Sequence, residues 1–311
     1  MNANDKWISV YIFNKGYLYS YESDRVVASV VKPFVEICRK NSWIKNYFFI
    51  RYSESGTHIR LRFFGDEKTI DEIVKPEFEK FLLANFPEDL KVDLPEYELF
   101  KWVEYEPEIE RYGGNHAIKV AEEYFNYSSD FAIELLDGVT EGNNSQRLGK
   151  GLIATNLIIY AFTSSRDLGL RLAEQYHKGY LSAVARQDGL KEDMLEMFKD
   201  GFDKQAQNLI EFNNSLWEVL EEDGELPESF IEFVKNLFTI KNKLNQLDSE
   251  GKLIETDSGK MNLYEKYFRI VPSYIHMMNN RLGISIPEES YLSFLITKAL
   301  QTIPAGEVTD E

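Results

Sequence analysis

The sequence has 311 residues, enough for one large domain or two modest ones, and its 35 Lys and Arg against 52 Asp and Glu leave a net charge of −17. Such an acidic surface repels a phosphate backbone and excludes a general nucleic-acid coat protein. With 43% hydrophobic and 14% aromatic residues the chain is too apolar for disorder, and its one cysteine, Cys38, excludes an internal disulfide framework or a cysteine-rich zinc site.

The first third alternates strand and helix patterns. Trp7–Phe13 (WISVYIF) is β-branched and aromatic, and Lys15-Gly16 breaks it. Asp24 is placed to cap a helix in which Val27, Val30, Val31, Phe34 and Ile37 recur at helical spacing, with Pro33 delaying or kinking it. Trp43–Tyr52 and His58–Phe64 read as strands joined by the hairpin connection Ser53-Glu54-Ser55-Gly56. An amphipathic segment follows from Asp66 to about Phe86, then strand-like Leu90–Asp93 and Tyr97–Tyr105. The order β-α-β-β-α-β suggests a ferredoxin-like split βαβ unit.

From about Asn115 the pattern turns helical, with segments near 116–136, 145–164, 166–186, 190–222, 228–247, 262–282 and 287–301. Ser145 and Ser165 are expected N-caps, and Gly138 and Gly283 expected stops. Asp248–Lys260 is polar and reads as an exposed loop. The fold class expected is α+β, one domain over 1–311 with a sheet-rich part (1–114) and a mostly helical part (115–311). No stretch approaches 18 consecutive apolar residues and the MNANDKW start lacks a signal pattern, so a cytoplasmic protein without a membrane span is expected.

Phosphate-loop, dinucleotide, zinc-protease and nucleophile-elbow motifs are all missing, so no cofactor and no metal is expected. The four histidines lack metal-ligand spacing, Leu148-Gly149-Lys150-Gly151-Leu152 reads as a flexible helix start, and Cys38 reads as a small buried hydrophobe. Three clusters stand apart. In FFIRYSESGTHIRLRFF (48–64), alternation puts His58, Arg60 and Arg62 on one strand face, a cationic stripe that needs acidic partners or an anionic ligand. In YEPEIERYGG (105–114), Glu108 and Arg111 are three residues apart on a connecting turn beside Tyr112, and an ordinary ion pair there rivals a functional one. In SYIHMMNNRLG (273–283), His276 and Asn280 share a helix face, so the amide could fix the imidazole tautomer, while a satisfied core histidine is the simpler alternative.

Taken in order, W-I-S-x-Y-I, FFIRY…HIRLRF, ERYGG and HMMNNRLG resemble the C-terminal elimination domain of class I lanthipeptide dehydratases, a family that includes stand-alone thiopeptide biosynthesis proteins. The likeness runs from Trp7 to about Ala299, without the larger glutamylation domain that precedes it in the dehydratases. It implies removal of glutamate from glutamylated Ser or Thr of a ribosomal precursor peptide, leaving dehydroalanine or dehydrobutyrine. By the same resemblance Arg60, Arg62, Glu108, Arg111 and His276 would be catalytic, with Arg51, His58, Tyr112, Asn280 and Arg281 contacting substrate. The chemistry is coherent: an α-proton needs a positioned base, and the departing glutamate needs permanent cations such as arginine.

The implied partners are the precursor peptide and a separate glutamylation-domain protein, with no direct nucleic acid and with a homodimer left open. Two rivals share these residues: a thiopeptide pyridine synthase, whose members tend to lose the charged set, and a non-catalytic precursor-binding subunit using a sheet edge. A ferredoxin-like RNA binder would stack bases on the aromatic strands, against the net charge of −17.

Overall fold

A computed structural model describes residues 4–92, 99–184, 190–222, 224–254 and 260–302. The protein is α+β and falls into two compact units, residues 1–147 with 277–283 and residues 148–276 with 284–311. The expected change of character at 114 therefore lies inside the first unit.

That unit is built on four antiparallel strands, β1 (Asp5–Phe13), β2 (Asn46–Tyr52), β3 (His58–Asp66) and β4 (Phe100–Val103), in the order β2-β3-β1-β4. Val10, Ile12, Ile59, Leu61 and Phe63 form one buried face, as strand alternation demands. Against it lie α1 (Tyr21–Val26) with α2 (Lys32–Lys40), and α3 (Glu67–Thr69) with α4 (Lys75–Asn85). Phe34 of α2 meets Phe63 at 5.8 Å and Phe78 of α4 at 5.1 Å between ring centroids, so both helices share the sheet's core.

A π-helical turn joins each helix pair, Val27–Val31 before Lys32-Pro33 and Ile70–Val74 before Lys75-Pro76. Proline has no N–H and crowds the carbonyl four residues back, and one widened turn accommodates both without breaking the helix. Pro33 thus does not delay the helix as the sequence suggested, since helical structure runs from Tyr21 through the π turn to Lys40. Nor is Asp24 an N-cap: the helix begins at Tyr21, which leaves Asp24 inside it and buried.

α5 (Ala117–Leu136) lies along β2, whose outer edge has no strand partner among the described residues. Asn126 Oδ1 accepts from Tyr47 N at 3.3 Å, Ser129 Oγ from Phe49 N at 3.3 Å, and Asn280 Oδ1 from Arg51 N at 2.8 Å. Asn280 also donates to the Arg51 carbonyl at 3.0 Å, so its amide stands in for a strand residue.

Further helices are α6 (Asn144–Thr163), α7 (Arg166–Val184), α8 (Leu190–Asp203), α9 (Ala206–Glu221), α10 (Glu228–Ser249), α11 (Leu263–Leu282) and α12 (Ile286–Gln301). In the second unit Trp217 is fully buried and donates to Asn156 Oδ1 at 2.9 Å, and a Cβ on Gly169 would meet its ring at 2.7 Å. Several boundaries correct the sequence reading. The single helix expected over 190–222 is two; the cap of α6 is Asn143, whose Oδ1 accepts from Gln146 N at 3.1 Å, and Ser145 sits inside the first turn. Gly149 and Gly151 lie within α6. Glu88–Leu90 is a 3-10 turn where a strand was expected to begin, and the last strand is only Phe100–Val103. Asp93, Tyr97 and residues 255–259 of the expected loop lie outside the described residues, while α10 runs on to Ser249 and Leu253 is buried. Gly138 (φ 79°) and Gly283 (φ 74°) follow helix ends in the left-handed conformation, as expected.

Candidate functional site

The sheet face opposite the helices carries the cationic stripe. Across the strands Ser9, Arg62 and Phe48 form one row, and Tyr11, Arg60 and Ile50 the next. His58 Nδ1 lies 2.8 Å from the Gly56 carbonyl and its Nε2 accepts from Arg60 Nε at 3.1 Å, an arrangement that only the neutral Nδ1–H tautomer satisfies. Burial lowers the His58 pKa in the same direction. His58 thus orients Arg60, whose guanidinium lies 3.4 Å above the Tyr52 ring and 4.6 Å above Tyr11.

Arg62 is held between aromatics, 4.9 Å from the Phe48 centroid and 5.2 Å from Tyr105. Its Nε is buried and has no hydrogen-bond partner among the described residues. Burial pulls its pKa down, offset by Tyr105 and by Glu108 and reinforced by Arg60. Burial raises the Glu122 pKa, opposed by the polar hydrogens of neighbouring Trp7 and Tyr105. A cavity of about 230 Å³ opens one row along, lined by Trp7, Phe64, Lys119 and Glu122 among others.

Glu108 and Arg111 pair as the sequence proposed, Arg111 Nη1 donating to Glu108 Oε2 at 2.9 Å, on a turn that Gly113 (φ 94°) and Gly114 (φ 105°) close. Tyr112 is buried edge-on against Phe125 at 4.9 Å. Burial pushes its phenol up to about 12, opposed by Arg111, Arg281 and Arg62 and reinforced by Glu108. Arg281 is fully buried, donates Nε to Ser129 Oγ at 3.0 Å, and rests 5.4 Å from the Phe125 centroid. Its Nη1 and Nη2 have no partner among the described residues, and burial lowers it to about 10. Packing links four of the sequence-derived site residues: Arg62 rests on Phe48, which meets Phe125 at 5.0 Å, Arg281 and Tyr112 also pack on Phe125, and Arg111, paired with Glu108, lies 5.7 Å from the Tyr112 centroid.

Arg51 and Asn280 bond to other parts of the first unit, although Arg51 Nη1 is buried without a partner among the described residues. Arg51 Nη2 donates to Asp24 Oδ1 at 2.5 Å, and Arg147 Nη2 to Asp24 Oδ2 at 2.5 Å. The two arginines also donate to the carbonyls of Arg281 (3.0 Å) and Leu282 (2.5 Å), so the last turn of α11 is clamped. A side chain at Gly283 would meet Arg147 Nη1 at 2.7 Å.

His276 belongs to the second unit. The partner of its Nδ1 is not Asn280, whose amide is committed to Arg51, but Glu289 of α12, at 2.9 Å to Oε2 and 3.2 Å to Oε1. The Glu289 side chain is 1% exposed and the imidazole 18%. Tyr180 lies over His276 with ring centroids 5.6 Å apart. Glu289, Asp24 and Arg147 were missed because their partners lie far away in sequence. A carboxylate in an N-terminal helical turn reads as a dipole partner, and nothing in spacing points past that.

Cys38 is fully buried, which pushes its thiol up to about 12, as expected of a structural residue. Among the described residues no group of three or more His, Cys, Asp or Glu is placed to hold a metal ion, and no helix is long and apolar enough to cross a membrane.

Comparison with known proteins covers nearly the whole chain. The family described as lantibiotic biosynthesis dehydratase C-term matches residues 7–300. The epidermin biosynthesis protein EpiB of Staphylococcus epidermidis is 22% identical over 287 residues, 90% of this chain and 24% of EpiB. The chain spans about a quarter of the length of the curated relatives it matches. Among solved structures, TsrL superposes with a TM-score of 0.72 at 17% identity, covering 96% of this chain and 95% of TsrL. The pyridine synthase TbtD from thiomuracin biosynthesis gives 0.70 at 14%, covering 94% and 97%. At those identities the superpositions speak for the fold.

Proposed function

The chain belongs to the lantibiotic biosynthesis dehydratase C-terminal family, and on that premise we propose that it eliminates glutamate from glutamylated Ser or Thr of a ribosomal precursor peptide. The observation that carries this is Arg62: a guanidinium on an aromatic bed, its buried Nε without a partner among the described residues, linked through Phe48, Phe125 and Tyr112 to Arg281 and Arg111 in a chain of net charge −17. Protein interiors seldom leave a cationic donor unpaired without a use for it. A glutamyl ester already has one free carboxylate and acquires a second as it leaves, and guanidinium forks match that anion.

Arg62 and Arg111 are assigned to the leaving glutamate, with Glu108 and His58 setting the orientation of Arg111 and Arg60. His276 is assigned to proton transfer at the α-carbon. A separate protein would supply the glutamylated peptide. The sheet order and its all-antiparallel pairing support a ferredoxin-like reading of the first unit.

A pyridine synthase is the second reading, favoured by the near-complete mutual coverage with TbtD. The retained arginines and histidine favour elimination, since joining two dehydroalanines expels no glutamate. To test the assignment, each of Arg62→Ala, Arg111→Ala and His276→Ala is incubated with a glutamylated peptide and followed by mass. Accumulated ester with unchanged fold is expected; wild-type turnover by all three variants would remove the site.

A further inference from the structure

A carboxylate taken out of water needs hydrogen bonds to offset its lost hydration. Glu289 is fully buried, and the one side chain among the described residues that hydrogen-bonds its carboxylate is His276, through Nδ1. The carboxylate lies in the first turn of α12, where backbone N–H groups and the helix dipole favour a negative charge. Capping needs do not explain it: Ser285 and Glu288 already form the capping box, with Glu288 Oε2 accepting from Ser285 N at 2.8 Å. Glu289 is thus an extra acid one residue on, turned inward to the imidazole.

An ionised carboxylate can only accept, so the bond requires a hydrogen on Nδ1. A neutral His276 then has its lone pair on Nε2, which has no hydrogen-bond partner among the described residues, on a ring that remains 18% exposed. His177, on neighbouring α7, points Nδ1 at the Ser290 carbonyl at 3.3 Å and does not compete for Glu289.

We propose that Glu289 is a positioning residue that locks His276 in the Nδ1–H tautomer and so makes Nε2 the base that removes the α-proton. This rests on the elimination reading above and deepens it by giving the direction of proton transfer. Nε2 takes the proton from Cα; the C–H electron pair becomes the new Cα–Cβ double bond; the Cβ–O bond breaks and its electrons leave on the glutamate carboxylate. The imidazolium so formed faces the Glu289 carboxylate, which stabilises it until the proton passes to solvent.

Two measurements on the full chain test this. Histidine ¹⁵N NMR, with the His276 signals identified by their loss in His276→Gln, should show a protonated Nδ1 and an unprotonated Nε2. In Glu289→Gln the amide can donate to Nδ1 and reverse the tautomer, so kcat on the glutamylated peptide should fall by about 100-fold or more with KM little changed. Glu289→Asp, which keeps the acceptor, should recover much of the loss and retain the wild-type tautomer. An Nε2–H tautomer in the wild type, or full kcat in a folded Glu289→Gln, overturns the inference. Full activity of His276→Ala would instead overturn the proton-transfer assignment beneath it.

Discussion

Asp24 shows how much one side chain can hold in place. Its carboxylate faces two buried guanidiniums, Arg51 and Arg147, which in turn hold the carbonyls at the end of α11. Removing the acid leaves both cations without their counter-charge, so Asp24→Ala should cost about 3–5 kcal/mol in urea unfolding. His58 yields a second expectation. Its folded pKa is lowered by burial, so it stays neutral while the unfolded chain takes up a proton as pH falls through about 6.5. Stability should therefore be fully present above that value and decline below it, and His58→Gln should flatten the decline in pH-dependent melts. His177, lowered for the same reason, contributes in the same sense and should leave a residual slope. Strand alternation made the face of His58, Arg60 and Arg62 legible in the sequence. Asp24 was misread as a cap because a short acidic side chain before an apolar run fits that pattern as well. Nothing local says that Arg51, 27 residues on, is its partner.

Helices were the most legible elements, since an apolar face at helical spacing survives whatever the helix packs against. Their junctions were not. The break between α8 and α9 falls at Lys204-Gln205, where no glycine or proline marks it, and the π turns leave the apolar spacing almost undisturbed. Edge protection of β2 was equally hidden, because the covering groups come from α5 and α11. Asn280 replaces a whole strand partner at Arg51, accepting at 2.8 Å and donating at 3.0 Å. Asn280→Ala should lose about 1–3 kcal/mol for the stranded backbone groups, and the Arg51 amide should exchange faster than its neighbours in β2. Exchange unchanged at Arg51 would mean that the amide is not what shields the edge. Because Asn280 serves the backbone, the imidazole of His276 depends on α12 for its orientation, a pairing that the HMMNNRLG pattern could not reveal.

The net charge of −17 gains a second meaning beside the arginine cluster. A surface so acidic disfavours any tRNA, so no retardation of glutamyl-tRNA by micromolar protein is expected in gel shifts at physiological salt. A shifted band would place the glutamylation step nearer to this chain than its charge allows. The cations of the proposed site are few and lie in the first unit, Arg281 fully buried, Arg62 half-buried with its Nε enclosed and Arg111 34% exposed, and salt screens enclosed charge little. The family was legible because its motifs keep their order over residues 7–300, whereas one fold can host different reactions, and this fold is like that of the pyridine synthase TbtD. Incubating the protein with a synthetic glutamyl-serine precursor peptide and recording its mass tests elimination most directly. Dehydroalanine and free glutamate are predicted in equal amounts; intact ester after prolonged incubation with the cognate peptide, or turnover only of a bis-dehydroalanine peptide to a ring with leader release, would contradict it.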